Sequence, residues 1–252
     1  MRLFPVGLIV WGLVSALSLF AAERQVWVER FQFAPGGTVS VENVYGNIAV
    51  EGWDRAEVQV LVIKRARTNN DVDLDNVRVA VEPGTSALAF RTLYAEQPEQ
   101  PVTVDYRIRV PRQTHLRWLN TVEGRITVRD VEGDVHARTL NGNIEHLNVS
   151  GHVVARTMNG NISVVMWALV RSSEPHELET LTGDIALLLP PNPDADLQVQ
   201  SVAGRVHTPY TLATRTGSPV GTFQARVGKG GNVIQLRAVR GNIRVQEMEP
   251  LL

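Results

Sequence analysis

The chain has 252 residues, with 25 basic and 26 acidic side chains, a net charge of −1 and no cysteine. This near-neutral balance offers no electrostatic basis for binding nucleic acid. The lack of cysteine excludes a disulfide framework, a thiolate metal site and the lipid-attachment residue of a bacterial lipoprotein.

The N-terminal segment, residues 1–22, has the pattern of a secretory signal peptide. Arg2 is followed by the uncharged run Leu3 to Ala22, which ends in two alanines. A basic start, an apolar core and small residues at the end are typical of such signals. The run is also long enough to span a bilayer, so a retained membrane anchor is the alternative. Both readings predict that residues 23–252 form a single exported domain, periplasmic or associated with the cell envelope.

Residues 24–116 alternate between apolar and polar side chains and predict strands. A first strand covers residues 24–35, and VENVYGNIAVEGW at residues 41–53 carries one copy of a phrase that recurs later. Four longer strands follow without the phrase, at residues 57–66, 77–82, 87–94 and 102–111. We expect these four to be antiparallel strands that flank or cap the repeats, because an open coil end is an unpaired strand edge.

The regular repeats occupy residues 120–165, where a glycine recurs every nine residues in TVEGRI, DVEGDV, TLNGNI, NVSGHV and TMNGNI. Alternate phrases match best: ARTLNGNI and ARTMNGNI begin eighteen residues apart, at Ala137 and Ala155. A period of eighteen is too short for a helix pair, and the Thr, Val, Ile, Asn and Gly content disfavours helix. The pattern therefore predicts an all-β fold, a single-stranded parallel β-helix (β-solenoid) with coils of about 18 residues.

Stacking one coil on the next predicts columns of equivalent residues. Ile126, Ile144 and Ile162 form one apolar column, and Val135 with Val153 form another. A third column contains Val122, Leu140 and Met158, which alternation assigns to the buried face. Arg138 and Arg156 should face outward, and the glycines should mark corners where stacked asparagines can hydrogen-bond. The alternative is an antiparallel meander of Asn-Gly hairpins, which does not explain VEG and VSG at the same positions.

Spacing loosens after Val165, so residues 166–246 predict irregular coils. Further phrases occur as TLTGDI, SVAGRV and AVRGNIRV, separated by the insertions 166–175 and 208–224. The chain resembles the adhesin-like β-strand-repeat family of exported bacterial proteins, a domain of unknown function. The resemblance lies in four segments and their order: YRIRVP, the T-x-NG-N-I repeats, LLLPPNPDADLQVQSVAGRV and GKGGNVIQLRAVRGNIRV. The resemblance implies a β-helical fold in the cell envelope, and it carries over no catalytic residues.

Candidate chemistry in the sequence is sparse. The six histidines lack metal-binding spacing; His136 and His152 flank one half-turn, but the pattern favours solvated surface histidines over a shared metal site. Glu123, Asp130, Glu132 and Asp134, with Arg129 nearby, cluster around two corners and are the candidates for carbohydrate chemistry. Turn preference explains them equally well. We therefore predict no catalytic residue, no cofactor and no metal.

Aromatic residues could stack on sugar rings if they were exposed on one side; the candidates are Trp53, Trp118 and Trp167. Trp118 lies immediately before the regular repeats and is interpreted as a cap over a coil end. The sequence thus predicts a non-enzymatic envelope protein with a rigid surface for adhesion to an envelope protein, a glycan or a second copy. The alternative is a carboxylate-dependent polysaccharide lyase or hydrolase on a β-helix.

Overall fold

The computed structural model describes residues 24–66, 74–84, 86–95, 102–214 and 221–249, so the predicted signal segment 1–22 lies outside the described residues. The regular elements in these ranges are strands and one short 3-10 helix, Leu74–Asn76. The first ten strands are β1 (Arg24–Gln32), β2 (Thr38–Glu42), β3 (Ile48–Trp53), β4 (Glu57–Ala66), β5 (Val77–Glu82), β6 (Ala87–Tyr94), β7 (Val102–Pro111), β8 (His115–Glu123), β9 (Ile126–Arg129) and β10 (Val135–Asn141).

The second half of the chain continues with shorter strands in the same style. They are β11 (Ile144–Val149), β12 (Val153–Asn159), β13 (Ile162–Met166), β14 (His176–Thr182), β15 (Ile185–Leu189), β16 (Ala195–Ala203), β17 (Val206–His207), β18 (Thr222–Val227), β19 (Asn232–Arg240) and β20 (Ile243–Glu247). No helix in the described ranges has the length and apolar character needed to cross a membrane.

The strands form two ten-stranded sheets, and each coil contributes one strand to each of them. Sheet 1 has the order β1-β4-β7-β3-β9-β11-β13-β15-β20-β17, and sheet 2 has the order β18-β16-β19-β14-β12-β10-β8-β2-β6-β5. Neighbouring coils pair in parallel, as in β10 with β12, where Val135 lies opposite Val153. The predicted all-β parallel solenoid is therefore confirmed, and the hairpin meander is wrong for these repeats.

Antiparallel strands close both ends of the solenoid. At one end β1 and β4 extend sheet 1 and β5 extends sheet 2; at the other, β18 lies antiparallel to β16. The prediction for residues 57–66 and 77–82 is thus confirmed. For residues 87–94 and 102–111 it is confirmed on one side only, where β6 pairs antiparallel with β5 and β7 with β4. On the other side β6 and β7 pair in parallel with β2 and β3, so they build a complete coil rather than a cap.

Coils do not stack in the order in which the chain makes them. The β2/β3 coil lies between the β6/β7 coil and the β8/β9 coil, and β19 lies between β14 and β16. The C-terminal phrase AVRGNIRV therefore inserts ahead of SVAGRV, which the sequence order does not reveal. In both cases a segment distant in the sequence lies between two coils and pairs with both, so its own backbone groups are satisfied on each side.

The core lies between the two sheets, and most of its columns are as the sequence predicts. Ile126, Ile144 and Ile162 are 0–1% exposed, as are Val135 and Val153. The third column is stacked as predicted but its assigned face is wrong, because Leu140 and Met158 are 40% and 45% exposed. Thr139 points inward in place of Leu140 and is only 2% exposed.

Threonine is buried at this position because its hydroxyl has a partner in the neighbouring coil. The Thr139 hydroxyl donates to the Gly124 carbonyl oxygen at 3.1 Å, and the Thr157 hydroxyl donates to Gly142 at 3.0 Å. Thr180 and Ser201 repeat the contact farther along the stack. A buried hydroxyl that is hydrogen-bonded costs little, so the polar residue takes the inner position and the apolar residue after it faces solvent.

The glycine three residues after each threonine is required by the same carbonyl. A Cβ added at Gly142 would overlap the Gly124 carbonyl oxygen, and one at Gly160 would overlap that of Gly142. On the second corner a Cβ at Gly133 would overlap the Thr114 carbonyl oxygen. Close approach of the stacked backbones, rather than a positive φ, therefore excludes side chains at these three positions.

Asparagines after the glycines form the hydrogen-bonded ladder that the sequence predicts. The backbone N–H of Asn161 donates to Asn143 Oδ1 at 2.8 Å, and that of Asp184 donates to Asn161 Oδ1 at 2.8 Å. One step earlier in the phrase, Asn159 Nδ2 donates to Asn141 Oδ1 at 2.8 Å. The first two bonds give partners to backbone N–H groups at the corner, and the third joins the side chains of successive coils.

His146 is an imidazole in an otherwise aliphatic inner column, opposite Val128 and Val164. It is 0% exposed, and neither ring nitrogen has a hydrogen-bond partner among the described residues. Burial lowers the pKa of His146 to about 3. Burial, with His152 nearby, also lowers the pKa of His176 to about 4. The expectation of solvated surface histidines is therefore wrong for both residues.

Gly142→Val tests the corner contact. We expect a loss of roughly 3–5 kcal/mol in unfolding free energy, because the side chain must displace the Gly124 carbonyl. Gly133→Val should be similarly severe on the other corner. Gly36→Asn is the control, since Gly36 has φ +80 with open space around it and asparagine tolerates that conformation. Urea unfolding of the three variants measures this; a mild Gly142→Val would contradict the stacked corner.

His146 also predicts a dependence of stability on pH. The unfolded imidazole binds a proton below its ordinary pKa of about 6.5, whereas the buried ring stays neutral down to about 3. The contribution of His146 to the unfolding free energy is therefore fully present above about pH 6.5. Below that pH it falls by about 1.4 kcal/mol per pH unit. The slope from pH 6.5 to pH 5 in urea unfolding should shrink by that amount in His146→Leu. An unchanged slope would contradict the buried neutral imidazole.

Candidate functional site

The outer face of sheet 2 presents three parallel columns of side chains, because alternate residues of each strand point away from the core. Pairing of β10, β12 and β14 aligns His136 with Val154 and Glu177, and Arg138 with Arg156 and Glu179. The third column is apolar and follows the corner. This face carries both features that suggest binding, a groove beside Trp118 and a continuous apolar ridge.

A β-bulge in β8 changes the outer face at one coil. Leu116 and Leu119 lie opposite Val135 and Ala137 of β10, so two residues of β8 oppose the single residue His136. The same shift occurs against β2 on the other side. Because of the extra residue, both Arg117 and Trp118 are exposed, where regular alternation would bury one of them.

Trp118 adopts a conformation that tryptophan normally avoids. Its φ is +58°, and its side chain is 55% exposed. Bulky residues at positive φ are true outliers and cost about 1–3 kcal/mol each, so they persist only where the surrounding structure holds them. Trp118 lies in the middle of a paired strand rather than at a coil end, so the interpretation of Trp118 as a cap is wrong.

The groove runs from Trp118 across three strands to the loop that precedes β14. It has a volume of about 290 Å³ and is lined by Trp118, Asn120, His136, Arg138, His152, Arg156, Glu174, Pro175 and Glu177, with Ala137 and Val154 at its base. The indole meets the His136 ring edge-on, with centroids 6.4 Å apart and planes at 86°. Insertion 166–175 thus supplies the wall opposite Trp118.

Two histidines that the sequence placed at different offsets meet in this groove. His136 Nε2 and His152 Nδ1 are 3.2 Å apart, and His152 Nε2 lies 2.8 Å from the Pro175 carbonyl oxygen. A carbonyl only accepts, so the tautomer of a neutral His152 ring that fits both contacts donates through Nε2 and accepts from His136 through Nδ1. Burial, followed by the neighbouring His152, lowers the pKa of His136 below its usual value. Within the described ranges, no three His, Asp or Glu side chains converge into a metal-binding group.

Charges in the second column are paired except at one position. Arg156 forms an ion pair with Glu177 and lies 3.9 Å from a Glu179 carboxylate oxygen, and Arg237 pairs with Glu179 at 3.3 Å. Arg138 is exposed and has no acidic partner among the described residues. It stacks on Arg156 in register, and like charges in adjacent strands repel. Arg138 is therefore the guanidinium that remains available to an anion.

The carboxylates suggested by the sequence are spread over the corners. Asp134 accepts the backbone N–H of His152 at 3.0 Å and lies 3.2 Å from His115 Nδ1, and Asp130 accepts from Asn148. Glu132 is exposed and forms an isolated β-bridge with Ser150, and Glu123 lies at the other corner. Asp130 and Asp134 therefore take part in the stacking of coils, as the turn interpretation predicts.

The apolar ridge is defined here as Val122, Leu140, Met158, Leu181 and Val202. These side chains are 38–54% exposed and occupy equivalent corner positions in five coils. With Val239 between the last two in register, the ridge crosses six strands and extends roughly 24 Å at 4.8 Å per strand. A contiguous apolar patch on a solvent-exposed face is typical of an interaction site.

Sequence reasoning missed the bulge and the ridge. The bulge has a signal in HLRWLN, where the apolar residues Leu116 and Leu119 are three apart instead of two. The ridge was visible as a column, but hydropathy alone assigned it to the core.

Comparisons with known proteins identify the repeat pattern. The family model described as Toastrack DUF4097 matches residues 34–246. No curated protein matches the sequence significantly.

Several crystal structures are similar in outline. A candidate cell adhesion protein from Clostridium sporogenes shares 11% identity over 90% of this chain and 99% of that chain, with a TM-score of 0.41. A candidate adhesin from Bacteroides fragilis shares 11% identity over 90% and 99%, with a TM-score of 0.30. A candidate lipid binding protein from Parabacteroides distasonis shares 9% over 89% and 97%, with a TM-score of 0.29. Likeness at this level assigns no function.

Replacing Trp118 tests its backbone strain. Trp118→Asn should raise the unfolding free energy by about 1 kcal/mol, because asparagine tolerates positive φ and a half-exposed indole contributes little burial. Trp118→Val should lower it, since a β-branched side chain at the same φ is more strained. Urea unfolding of both variants is the measurement, and a destabilised Trp118→Asn would contradict the strain.

Proposed function

Because the chain belongs to the Toastrack DUF4097 family, whose model covers residues 34–246, we propose that it is an exported, non-enzymatic binding protein of the cell envelope. It holds the outer face of sheet 2 rigidly toward its partner. The family match confirms the resemblance noted from the sequence, to a β-strand-repeat domain of unknown function.

The apolar ridge is the observation that carries this proposal. Stacking of the coils needs a threonine inside and a glycine at the corner, but it does not require the solvent-facing residue directly after the threonine to be apolar. Val122, Leu140, Met158, Leu181 and Val202 nevertheless keep that position apolar, at a cost in exposed hydrophobic surface. A partner that covers the ridge would recover that cost as binding energy.

Export is supported by the sequence of residues 1–22. Arg2, the uncharged run and the paired alanines fit a secretory signal, and a chain without cysteine needs no disulfide chemistry outside the cytosol. The non-enzymatic role is supported by the use of Asp130 and Asp134 at the corners, where each is engaged with another coil. A lyase or hydrolase would require carboxylates gathered beside one substrate position.

Location and binding can be measured together. The full chain with a C-terminal tag should fractionate with the periplasm or the envelope, and the purified protein should bind isolated cell envelopes saturably without shortening their polysaccharides. Leu140→Glu, which introduces a charge in the middle of the ridge, should weaken envelope binding at least tenfold. Ser163→Glu, on β13 at the outer face of sheet 1, is the matched control and should change it less than twofold.

The proposal fails in either of two ways. One is recovery of the unprocessed chain from the cytosol. The other is envelope binding that is absent from the unsubstituted protein, or that Leu140→Glu and Ser163→Glu reduce equally.

A further inference from the structure

We propose that the groove beside Trp118 binds a carboxylate-bearing saccharide, with one sugar ring against the indole and its carboxylate on Arg138. This inference rests on the proposed binding function and assigns a ligand class to one part of the same face. It uses the groove, whereas the proposed function depends on the ridge, so the two can fail separately.

Trp118 provides the stacking surface. Its indole is half exposed, and the bulge turns it outward together with Arg117. The His136 ring packs edge-on against it and limits its rotation. A rigid aromatic face with an apolar body suits the C–H face of a pyranose ring, because it buries area at a small cost in side-chain entropy.

Arg138 provides the charge that selects a carboxylate. It lies in the groove two residues from His136, without an acidic partner among the described residues, and its neighbour Arg156 is already neutralised by Glu177. A guanidinium binds a carboxylate through two parallel N–H donors, and the planar carboxylate of a uronic acid fits this geometry.

The remaining lining suits sugar hydroxyls. Asn120 supplies an amide with donors and an acceptor, and the side chain of Glu174 is 73% exposed and accepts hydrogen bonds on the opposite wall. The Pro175 ring adds an apolar patch, and the carbonyl oxygen of Pro175 already has His152 as its hydrogen-bond partner. A volume of about 290 Å³ lies at the small end of ligand sites, which fits a short segment of a chain rather than a large molecule.

Titration calorimetry of the purified full chain tests this with trigalacturonate, its methyl ester and maltotriose as probes. We expect trigalacturonate to bind at least tenfold more tightly than the other two, and its affinity to fall with added salt because one ion pair is involved. Trp118→Asn and Arg138→Gln should each weaken it at least tenfold. Arg237→Gln is the matched control, in the same column but paired with Glu179, and should change it less than twofold.

Two results would overturn the inference: equal binding of the methyl ester, or trigalacturonate binding that is absent or unaffected by Trp118→Asn. Trp118→Asn is expected to keep the fold, so its loss of affinity cannot be explained by unfolding, and urea unfolding of the same sample verifies this. If these results are obtained while Leu140→Glu still weakens envelope binding at least tenfold, the saccharide inference is overturned and the proposed function stands. If the protein does not bind envelopes but binds trigalacturonate in a way that Trp118→Asn weakens, the proposed function is overturned and the saccharide site stands.

Discussion

One carbonyl at each corner determines how the coils stack. The Gly124 oxygen faces the Cα of Gly142, where no side chain fits, and it accepts the hydroxyl of Thr139 at 3.1 Å. Repeated along the stack, this arrangement holds successive backbones at strand spacing through the corner, where the Gly142 N–H also donates to the Asn159 carbonyl oxygen at 2.9 Å. Threonine and glycine therefore act as one unit, and the two residues between them must face solvent. The outer surface of sheet 2 is a consequence of that requirement.

The coil period and most of the register could be predicted from the sequence because they are local. An eighteen-residue repeat with glycine at a fixed place leaves few ways to stack Ile144 between Ile126 and Ile162. The inward threonine could not be predicted, because its partner is in another coil and hydropathy favours burying Leu140. The insertion of β19 between β14 and β16 likewise has no local signal; only the competition of strand edges for partners decides it.

The site was less predictable than the fold, for a physical reason. A groove depends on side chains that deviate from the repeat, whereas the repeat pattern describes only what the coils have in common. Arg117 and Trp118 break the alternation, His136 and His152 meet although their offsets differ, and the 166–175 insertion forms a wall. His146 is a further deviation, a neutral imidazole inside an aliphatic column. The solenoid tolerates these exceptions because neighbouring coils continue the regular pairing on both sides.

The strain at Trp118 is sustained by this redundancy. β8 is paired in parallel with β2 on one side and β10 on the other, and both ladders resume their register at Leu119. Relaxing φ at Trp118 would shift that register and move Leu116 or Leu119 out of the core, where each is 0% exposed. Losing the burial of even one leucine costs about as much as the strain itself. The fold therefore holds an outward tryptophan that local preference would reject. It places this tryptophan in the same groove as Arg138, which has no acidic partner among the described residues.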